Sequence, residues 1–467
     1  MEDQFDVVVV GGGTAGLTAA LAARHEGARV ALVEQEGRIG GDCTYYGCVP
    51  SKALIEIAHT LHGARRLAAE GILEGPLRVS FPAVAARRAR VVAEIAADER
   101  DSRFLDADID LVYGHARFIA EHELAVGDRR LRGRRFVIAT GTEPAIPPVA
   151  GLDQVPFLTN RTIFDLSAPP RRLLVLGGGS IGLELAQAFR RFGSDVVVIE
   201  LLERLLPQDE PEAGELARAV LEEEGIDVRL GAKATAARYR DGEIVVTLEA
   251  DELSGDALLV AAGRRAAVEG LRLETVGVAL ADGYVQVNRR CRTSRDHVYA
   301  AGDVTGGLQF THVASHEGAV AGRNAAGKRA ATDERVVPWV TFLDPELAHV
   351  GFTEEQARKR YRDVRTVTYP MSGVDRARIA GRPLGFVKLV TAPRRLLGWL
   401  GGGKLVGAEI AGVGAGELIQ ECALAIHTRA FAGRLAQTIH AYPAMSLAVQ
   451  QAASQLFPLG RALVETR

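Results

Sequence analysis

Cysteine is scarce in this sequence, with 4 residues among 467. So few cysteines cannot form the dense disulfide framework that stabilises small secreted proteins. The first residues also lack the basic cluster with which a secretory signal begins. Both absences favour a reducing compartment, and we expect a cytoplasmic protein.

Long apolar runs and an excess of charge of one sign are missing as well. No run reaches the length of about 18 apolar residues at which a membrane-spanning helix becomes a candidate. The 56 Lys and Arg residues face 59 Asp and Glu residues, so the net charge of −3 creates no field that attracts a polyanion. We therefore expect neither a membrane span nor a nucleic-acid partner.

Glycine, in contrast, is abundant, with 51 residues, and its clusters reveal an internal repeat. In each copy an apolar run leads into the motif G-x-G-x-x-G, a helical pattern, a second apolar run and an acidic residue. The motif glycines and the acid are Gly11, Gly13, Gly16 and Glu34 in the first copy and Gly177, Gly179, Gly182 and Glu200 in the second. The offset between the copies is the same at each of these positions.

This order of elements is typical of a dinucleotide-binding βαβ unit, in which the glycines permit a tight turn and a close approach of the pyrophosphate to the helix N-terminus. The sequence therefore predicts two Rossmann-like domains. The acid after the second strand binds ribose hydroxyls and repels a 2′-phosphate, so Glu200 favours NADH. Because Arg204 lies nearby in the sequence, NADPH is not excluded.

A cysteine pair follows the first βαβ unit, at the start of a further helical pattern. In a regular helix Cys43 and Cys48 would be separated by a rise of about 7.5 Å, which exceeds the Cα separation of about 4.4–6.8 Å in a disulfide. The pair must therefore straddle a distorted helix entry, for which Gly47 provides conformational freedom. A helix N-terminus beside Lys52 predicts stabilised, reactive thiolates. The alternative is two buried structural cysteines.

Residues 40–52 resemble the redox-disulfide motif of the class I pyridine nucleotide-disulfide oxidoreductases, which include dihydrolipoamide dehydrogenase, glutathione reductase and mercuric reductase. The resemblance extends over essentially the whole chain, including residues 139–141 and 301–303. It implies an α/β fold of two Rossmann-like domains, for FAD and NAD, and a C-terminal α+β dimerisation domain. The expected borders are 1–150 for the first part of the FAD domain with the redox disulfide, 151–270 for the NAD domain, 271–335 for the second part of the FAD domain, and 336–467 for the dimerisation domain.

The family also implies roles for individual residues. Cys48 matches the flavin-proximal, charge-transfer thiol and Cys43 the interchange thiol that meets the acceptor. Lys52 and Glu184 match an ion pair beside the flavin. The cofactor-binding positions expected besides the motif glycines and their two acids are Gly41, Ala139, Thr140, Gly141, Gly263, Gly302, Asp303 on the ribityl chain, His312 and Ala314. Electrons would pass from NADH to FAD, to the disulfide, and on to a small acceptor.

One position departs from the disulfide reductases of the family. Chains similar to dihydrolipoamide dehydrogenase carry a His directly before a Pro, and a Glu five residues after that His, as the acid/base pair that the partner subunit supplies. Here Tyr442 precedes Pro443, Leu447 stands in place of the Glu, and His440 does not match. A neutral phenol, with a pKa of about 10, is a poor proton donor for an expelled thiolate.

Reduction of a thiolate-bound metal ion expels no such group, and a phenol can serve as its ligand. Mercuric reductase is similar in having a Tyr near this region, so a soft metal ion such as Hg(II) is the expected acceptor, with Tyr442 reaching the partner subunit's disulfide in a homodimer. Mercuric reductases end in a vicinal cysteine pair, however, and the last cysteine here is Cys422. Another soft metal ion or a quinone therefore stays open as the electron acceptor.

Two further functions remain open as alternatives. The first is dihydrolipoamide dehydrogenase or another disulfide reductase, with Tyr442 as the acid. The second is a redox-sensing flavoprotein that acts through a partner. A purely structural role for Tyr442, as an aromatic residue of the subunit interface, also stays open.

No metal site is predicted from the sequence. His312 and His316 have helical spacing, but two His residues without a third ligand are more often structural. Cys291 and Cys422 match no motif and receive no role.

Overall fold

The computed structural model describes residues 3–457 of the chain. These residues form two compact units, the first from residues 3–170 and 257–333 and the second from residues 171–256 and 334–457. Within the described part of the chain, no helix has the length and hydropathy needed to cross a bilayer.

Helices and strands alternate in the two glycine-motif repeats, whereas residues 109–176 and 227–300 contain runs of strands with no α-helix between them. The helices are α1 (Thr14–His25), α2 (Gly41–Tyr45), α3 (Cys48–Ala69), α4 (Phe81–Ala96), α5 (Asp101–Leu105), α6 (Ser180–Arg191), α7 (Pro211–Glu223), α8 (Thr311–Ala325), α9 (Glu354–Arg360), α10 (Asp375–Ile379), α11 (Ala415–His427), α12 (Gly433–Gln437) and α13 (Leu447–Ser454). The strands are β1 (Asp3–Val10), β2 (Val30–Glu34), β3 (Ile109–Tyr113), β4 (Ala116–Ala120), β5 (Glu123–Val126), β6 (Arg129–Ile138), β7 (Thr142–Pro144), β8 (Arg172–Leu176), β9 (Asp195–Ile199), β10 (Asp227–Arg229), β11 (Ala234–Arg240), β12 (Glu243–Leu248), β13 (Glu252–Gly255), β14 (Ala257–Val260), β15 (Arg264–Ala266), β16 (Leu280–Ala281), β17 (Tyr284–Val285), β18 (Val298–Ala300), β19 (Pro338–Thr341), β20 (Glu346–Gly351), β21 (Arg365–Pro370), β22 (Phe386–Ala392) and β23 (Lys404–Gly412).

The first unit is built on a parallel sheet with the strand order β3-β2-β1-β6, and β18 pairs with β6 on its other side. All of β2 is buried, as expected for a parallel strand that is covered on both faces. The antiparallel strands β4 and β5 extend the sheet beyond β6. The apolar runs of the first repeat thus become the central strands, and the motif glycines lie at their carboxyl ends.

Helices α1 and α8 of this unit pack unusually closely. A Cβ atom on Gly318 of α8 would lie 2.3 Å from the carbonyl oxygen of Ala15, and one on Gly322 would lie 2.2 Å from that of Ala19. Only glycine permits this backbone approach. The contact fixes the N-terminus of α8 next to the loop that follows β1.

The second unit contains the second copy of the repeat. Its strands β8, β9 and β10 are parallel, and α6 follows β8 after the glycine motif. An antiparallel sheet of β11, β12 and β13 follows. This arrangement of a second βαβ unit confirms the predicted second Rossmann-like domain.

The C-terminal part of the second unit is an antiparallel sheet with the strand order β19-β20-β23-β22-β21. Helices α11 and α13 supply apolar side chains such as Ile419 and Val449 to its core. The expected α+β character of this region is confirmed. The domain borders at residues 150, 270 and 335 stay a prediction, and residues 458–467, which fall in the expected dimerisation domain, lie outside the described residues.

We predict that Gly318→Ala destabilises the first unit, because its methyl group would meet the backbone of α1. Overpacking of this kind costs about 1–3 kcal/mol. The thermal unfolding temperature and the denaturant midpoint should both fall. The matched control is Gly63→Ala in α3, where nothing lies within 4 Å of the added Cβ. An unchanged Gly318→Ala protein would contradict the close packing.

Candidate active site

The first glycine motif has the geometry that its sequence predicts. Gly11 has a positive φ of 107°, and a Cβ atom there would lie 2.3 Å from the carbonyl oxygen of Ala139. A Cβ on Gly16 would lie 1.8 Å from the carbonyl oxygen of Gly11. Gly13 is the N-cap of α1. The motif therefore brings β1, the start of α1 and the end of β6 together at one edge of the sheet.

The acids at the ends of the two repeats make the same hydrogen bonds. The Glu34 carboxylate accepts from the amides of Gly12, at 2.6 Å, and Glu36, at 2.7 Å. The Glu200 carboxylate accepts from the equivalent amides, those of Gly178 at 2.6 Å and Leu202 at 2.7 Å. A carboxylate oxygen can accept more than one hydrogen bond, so both acids retain capacity for ribose hydroxyls.

The first unit also has open space and an unpaired hydroxyl where a cofactor is expected. A Cβ on Gly13 would meet only the Cα of Gly41, at 3.8 Å, and one on Gly141 would meet nothing within 4 Å. The Thr140 hydroxyl oxygen is buried and has no hydrogen-bond partner among the described residues. Buried polar groups normally have a partner, so these positions fit a bound dinucleotide such as FAD.

Asp303, expected on the ribityl chain, lies just after Gly302 at the carboxyl end of β18. Its Oδ2 accepts a hydrogen bond from the Thr142 hydroxyl at 3.2 Å. Burial raises the pKa of Asp303, and the negative charge of Asp42 adds to this, whereas the Arg264 guanidinium opposes it. The Gly302 amide donates to the Glu317 carboxylate on α8 at 2.6 Å, which connects this loop to the helix that packs on α1.

The cysteine pair straddles a helix junction, as the sequence predicts. Cys43 lies in the short helix α2, Gly47 is the N-cap of α3, and Cys48 is the first residue of α3. Both cysteines are in the thiol form, with Cys48 exposed and Cys43 half-buried. Thr311, at the start of α8, places its hydroxyl oxygen 3.3 Å from each of the two sulfur atoms.

The prediction that the Cys43 thiolate is stabilised is wrong, because the pKa of this thiol is raised and not lowered. A hydrogen bond to the Cys48 sulfur, burial and the charge of Cys48 raise the pKa of the Cys43 thiol far above its usual range. The Thr311 hydroxyl opposes this shift, and the Glu99 carboxylate adds to it. Because the hydrogen bond to Cys48, burial and repulsion between two adjacent thiolates all favour the protonated form, Cys43 keeps its proton when Cys48 is ionised.

Thr311 and Glu99 were not found by sequence reasoning. Glu99 lies on the loop after α4 and accepts a hydrogen bond from the Thr44 hydroxyl at 2.7 Å, next to Cys43 in the chain. Neither residue belongs to a local motif, and only the tertiary fold brings them to the thiols. A signal was available for Thr311, because it immediately precedes His312, which was expected at the flavin.

Other expected cofactor positions lie close to this site in the first unit. Ala314 contacts Gly302, since a Cβ on Gly302 would lie 3.3 Å from the Ala314 Cβ. The ring of His312 stacks on Phe310 with centroids 5.5 Å apart. Gly263 has a φ of 126°, and its carbonyl oxygen accepts a hydrogen bond from the amide of Ala145, just after β7, at 3.0 Å.

The remaining expected positions are divided between the two units. Lys52 lies early in α3 of the first unit, whereas Glu184 lies in α6 of the second, is 4% exposed and accepts from the Phe342 amide at 2.8 Å. Gly177, Gly179 and Gly182 lie in the second unit with Glu200. The Lys52–Glu184 ion pair stays a prediction.

Tyr442 and His440 have opposite environments in the second unit. Tyr442 is 73% exposed, and its hydroxyl donates to the Asp375 carboxylate at 3.1 Å. That hydrogen bond and the negative charge of Asp375 raise the pKa of Tyr442. The His440 side chain is 6% exposed and faces Glu421 at 3.1 Å. Tyr442 is therefore available at the surface, and His440 is engaged within the chain.

The cysteines without a predicted role are buried, Cys291 in the core of the first unit and Cys422 in that of the second. His316 accepts a hydrogen bond from the Asp333 amide at 3.1 Å.

Comparisons with known proteins agree with these features. The family model described as pyridine nucleotide-disulphide oxidoreductase matches residues 5–318, and that of the family's dimerisation domain matches residues 337–453. A mercuric reductase of Lysinibacillus sphaericus is 34% identical over 97% of this chain and 82% of its own length. A dihydrolipoyl dehydrogenase of Thermus scotoductus is 37% identical over 97% of both chains.

A solved structure is similar over nearly the full length. It is the Cu(II) complex of the HOCl-induced flavoprotein disulfide reductase RclA from Escherichia coli, with a TM-score of 0.86 and 30% identity over 97% of this chain and 100% of that one.

We predict that Thr311→Val slows alkylation of Cys43 in the reduced protein, because the hydroxyl lowers the pKa of that thiol. A shift of about one pKa unit would slow the reaction about threefold to tenfold at a given pH, since only the thiolate reacts. Peptide mass spectrometry after a timed pulse of iodoacetamide measures each cysteine separately. Thr311→Ser is the matched control, and equal Cys43 rates in the two variants would contradict the role of the hydroxyl.

Proposed function

The chain belongs to the pyridine nucleotide-disulphide oxidoreductase family, and we propose that it passes electrons from NADH, through FAD and the Cys43–Cys48 pair, to a soft metal ion such as Hg(II). The observation that carries the choice of acceptor is Tyr442, an exposed phenol at the position before the proline. As a member of this family it is an FAD-dependent NAD(P)H oxidoreductase.

The first glycine motif, Glu34, Thr140 and Asp303 would hold FAD, whose chemistry is to accept a hydride from the nicotinamide and to release two electrons. The second motif and Glu200 would hold NADH. We propose the ranges 1–150 and 271–335 for the FAD domain, 151–270 for the NAD domain and 336–467 for the dimerisation domain. The match of the dimerisation family model to residues 337–453 supports the last border and a homodimer.

The thiol pair would carry the electrons to the acceptor. Two electrons and two protons convert the Cys43–Cys48 disulfide into two thiols. When the pair reoxidises, the S–S bond forms again, both protons leave, and the acceptor takes the two electrons. One Hg(II) ion takes both electrons, or two Cu(II) ions take one each.

The surroundings of the two sulfurs bear on how a metal ion would bind them. Cys43 and Cys48 share the Thr311 hydroxyl, and the pKa of Cys43 lies far above that of a free thiol. A soft metal ion binds thiolate sulfur and replaces the Cys43 proton. Metal binding therefore removes the repulsion between the two sulfurs that keeps Cys43 protonated.

Tyr442 supports a metal ion over a disulfide as acceptor. The expulsion of a thiolate needs a proton donor, and general acids contribute about 10²–10⁴-fold to such steps. The hydrogen bond to Asp375 raises the pKa of Tyr442 and makes the phenol an even weaker acid. The Cu(II) complex of the similar E. coli reductase and the resemblance to mercuric reductases are consistent with a metal acceptor.

The second candidate is reduction of lipoamide or another disulfide. It is favoured by the 37% identity to the Thermus scotoductus dihydrolipoyl dehydrogenase, which spans 97% of both chains. In that case Tyr442 of one subunit would protonate the leaving thiolate.

We predict that Cys43→Ser abolishes Hg(II)-dependent NADH oxidation, with a loss of at least about 10²-fold, because no interchange thiol remains. NADH oxidation with a dye that takes electrons directly from the flavin should persist. Anaerobic spectrophotometry under excess external thiol measures both. The control is Cys422→Ala, because Cys422 is buried in the core of the second unit and belongs to no motif. Full Hg(II) turnover in Cys43→Ser would refute the thiol pathway.

We also predict that Tyr442→His combined with Leu447→Glu creates lipoamide reductase activity. These substitutions restore the His and Glu of the disulfide reductases, so a gain of about 10²-fold is expected from general acid catalysis. Lipoamide and Hg(II) turnover of the same preparations should be compared. Tyr442→Phe is the companion variant. High lipoamide turnover in the unaltered protein, lost in Tyr442→Phe, would identify a disulfide reductase instead.

A further inference from the structure

The second unit contains a cluster of ionisable side chains that the proposed electron pathway does not use. Asp209, His349 and Glu409 each offer a ligand atom, and these atoms lie within 4.8 Å of one another. Asp209 is 5% exposed, and His349 and Glu409 are fully buried. The three residues come from the segment before α7 and from strands β20 and β23, so the fold alone assembles them.

The histidine of this cluster is oriented as a metal ligand would be. His349 Nε2 lies 3.1 Å from the Gly351 carbonyl oxygen, which can only accept, so Nε2 carries a proton. The other ring nitrogen, Nδ1, faces Glu409 Oε2 at 2.7 Å. A single proton occupies that contact. Metal-bound histidines typically donate their second ring nitrogen to a carbonyl in this way.

The carboxylates leave one buried oxygen without a partner. Glu409 Oε2 also accepts from the Glu210 amide, at 3.4 Å, but Glu409 Oε1 has no hydrogen-bond partner among residues 3–457. Asp209 Oδ1 accepts from the indole nitrogen of Trp339 at 2.6 Å, and the indole ring stacks on His349 with centroids 4.4 Å apart. A buried carboxylate oxygen without a partner is costly.

The buried ammonium group of Lys388 is paired with acids outside this cluster. Lys388 makes ion pairs of 2.7–3.1 Å with other acids, which are Glu210, Glu212 and Glu354. The Arg204 guanidinium donates to the backbone carbonyl of Asp209 at 3.2 Å and opposes the rise of the Asp209 pKa that burial causes, whereas the contact of Glu409 with His349 holds one imidazole and its shared proton. A divalent cation in place of that proton would balance the two carboxylates.

We propose that Asp209, His349 and Glu409 bind a divalent metal ion of the Zn(II) type, with Glu409 using both carboxylate oxygens. Zinc takes imidazole and carboxylate ligands at about 2.0–2.2 Å, so ligand atoms around one ion lie at most about 4.4 Å apart, and small side-chain rotations close the site. Nitrogen and oxygen ligands suit Zn(II), whereas a soft ion such as Hg(II) prefers the thiols. The site is thus separate from the proposed electron acceptor.

The chain offers a matched comparison in the first unit. Glu121, His122 and His297 also bring three ligand atoms within 4.8 Å, but His122 is exposed and each imidazole bonds a backbone carbonyl at 3.0 Å. Substitution of His122 removes an imidazole of similar geometry without touching the buried cluster.

The experiment uses the FAD-loaded protein purified from zinc-supplemented cells, because a buried ion is acquired as the chain folds. The Trp399→Phe variant leaves Trp339 as the sole tryptophan of the sequence. In the Trp399→Phe background, elemental analysis measures the number of zinc ions per chain. Trp339 fluorescence emission is then recorded while a chelator removes the zinc and again after zinc is added back. Glu409→Gln and His349→Gln are compared with His122→Gln, and FAD content and circular dichroism report folding.

We expect one zinc ion per chain fewer in Glu409→Gln and His349→Gln than in the parent, and a zinc-dependent change of Trp339 emission that both variants lose. His122→Gln should keep that emission change. Zinc bound by Cys43 and Cys48 contributes equally to all these proteins and cancels. Equal zinc content in Glu409→Gln and the parent would overturn the proposal. If neither Glu409→Gln nor His349→Gln folds, the test uses the parent protein alone. Trp339 emission of the parent that does not change on removal and return of zinc would also overturn the proposed zinc site.

Discussion

The close contact between α1 and α8 is the constraint on which the site in the first unit depends. Gly318 and Gly322 allow the backbones of the two helices to approach until the carbonyl oxygens of Ala15 and Ala19 fill the space of a side chain. Because α8 is held there, its first residue reaches both thiols and its Glu317 carboxylate binds the Gly302 amide. One packing contact thus connects the glycine motif, the loop of Asp303 and the cysteine pair.

The sequence predicts the parts of the site that are local in the chain. The two glycine motifs repeat because each turn needs the same positive φ and the same close approach, and Glu34 and Glu200 consequently accept the same pair of amides. The helix junction between Cys43 and Cys48 also follows from local geometry. Thr311 and Glu99 could not be predicted from spacing, since only tertiary packing brings them to the thiols. The same is true of Asp209, His349 and Glu409, which come from three distant segments.

The error in the predicted state of Cys43 has a physical cause. Sequence reasoning weighed a helix N-terminus and Lys52, which each stabilise a thiolate at the surface by modest amounts. It left out the second sulfur, whose negative charge and hydrogen bond act at contact distance and in partly buried surroundings. Coulomb repulsion grows as two charges approach, so a second thiolate in contact with Cys43 strongly opposes its ionisation. The thiol pair therefore retains one of its two protons more readily than it loses both.

That proton connects the thiol pair to the choice of acceptor. A disulfide acceptor must be attacked by a thiolate and then given a proton, and the exposed Tyr442, whose pKa is raised by Asp375, is poorly suited to supply it. A sulfur-binding metal ion needs no such donor, because it displaces the Cys43 proton and neutralises both sulfurs at once. In the proposed function, the replacement of the family's histidine by tyrosine and the proton on Cys43 therefore act on different atoms. Tyr442 affects protonation of the leaving group, and the proton on Cys43 affects the nucleophile.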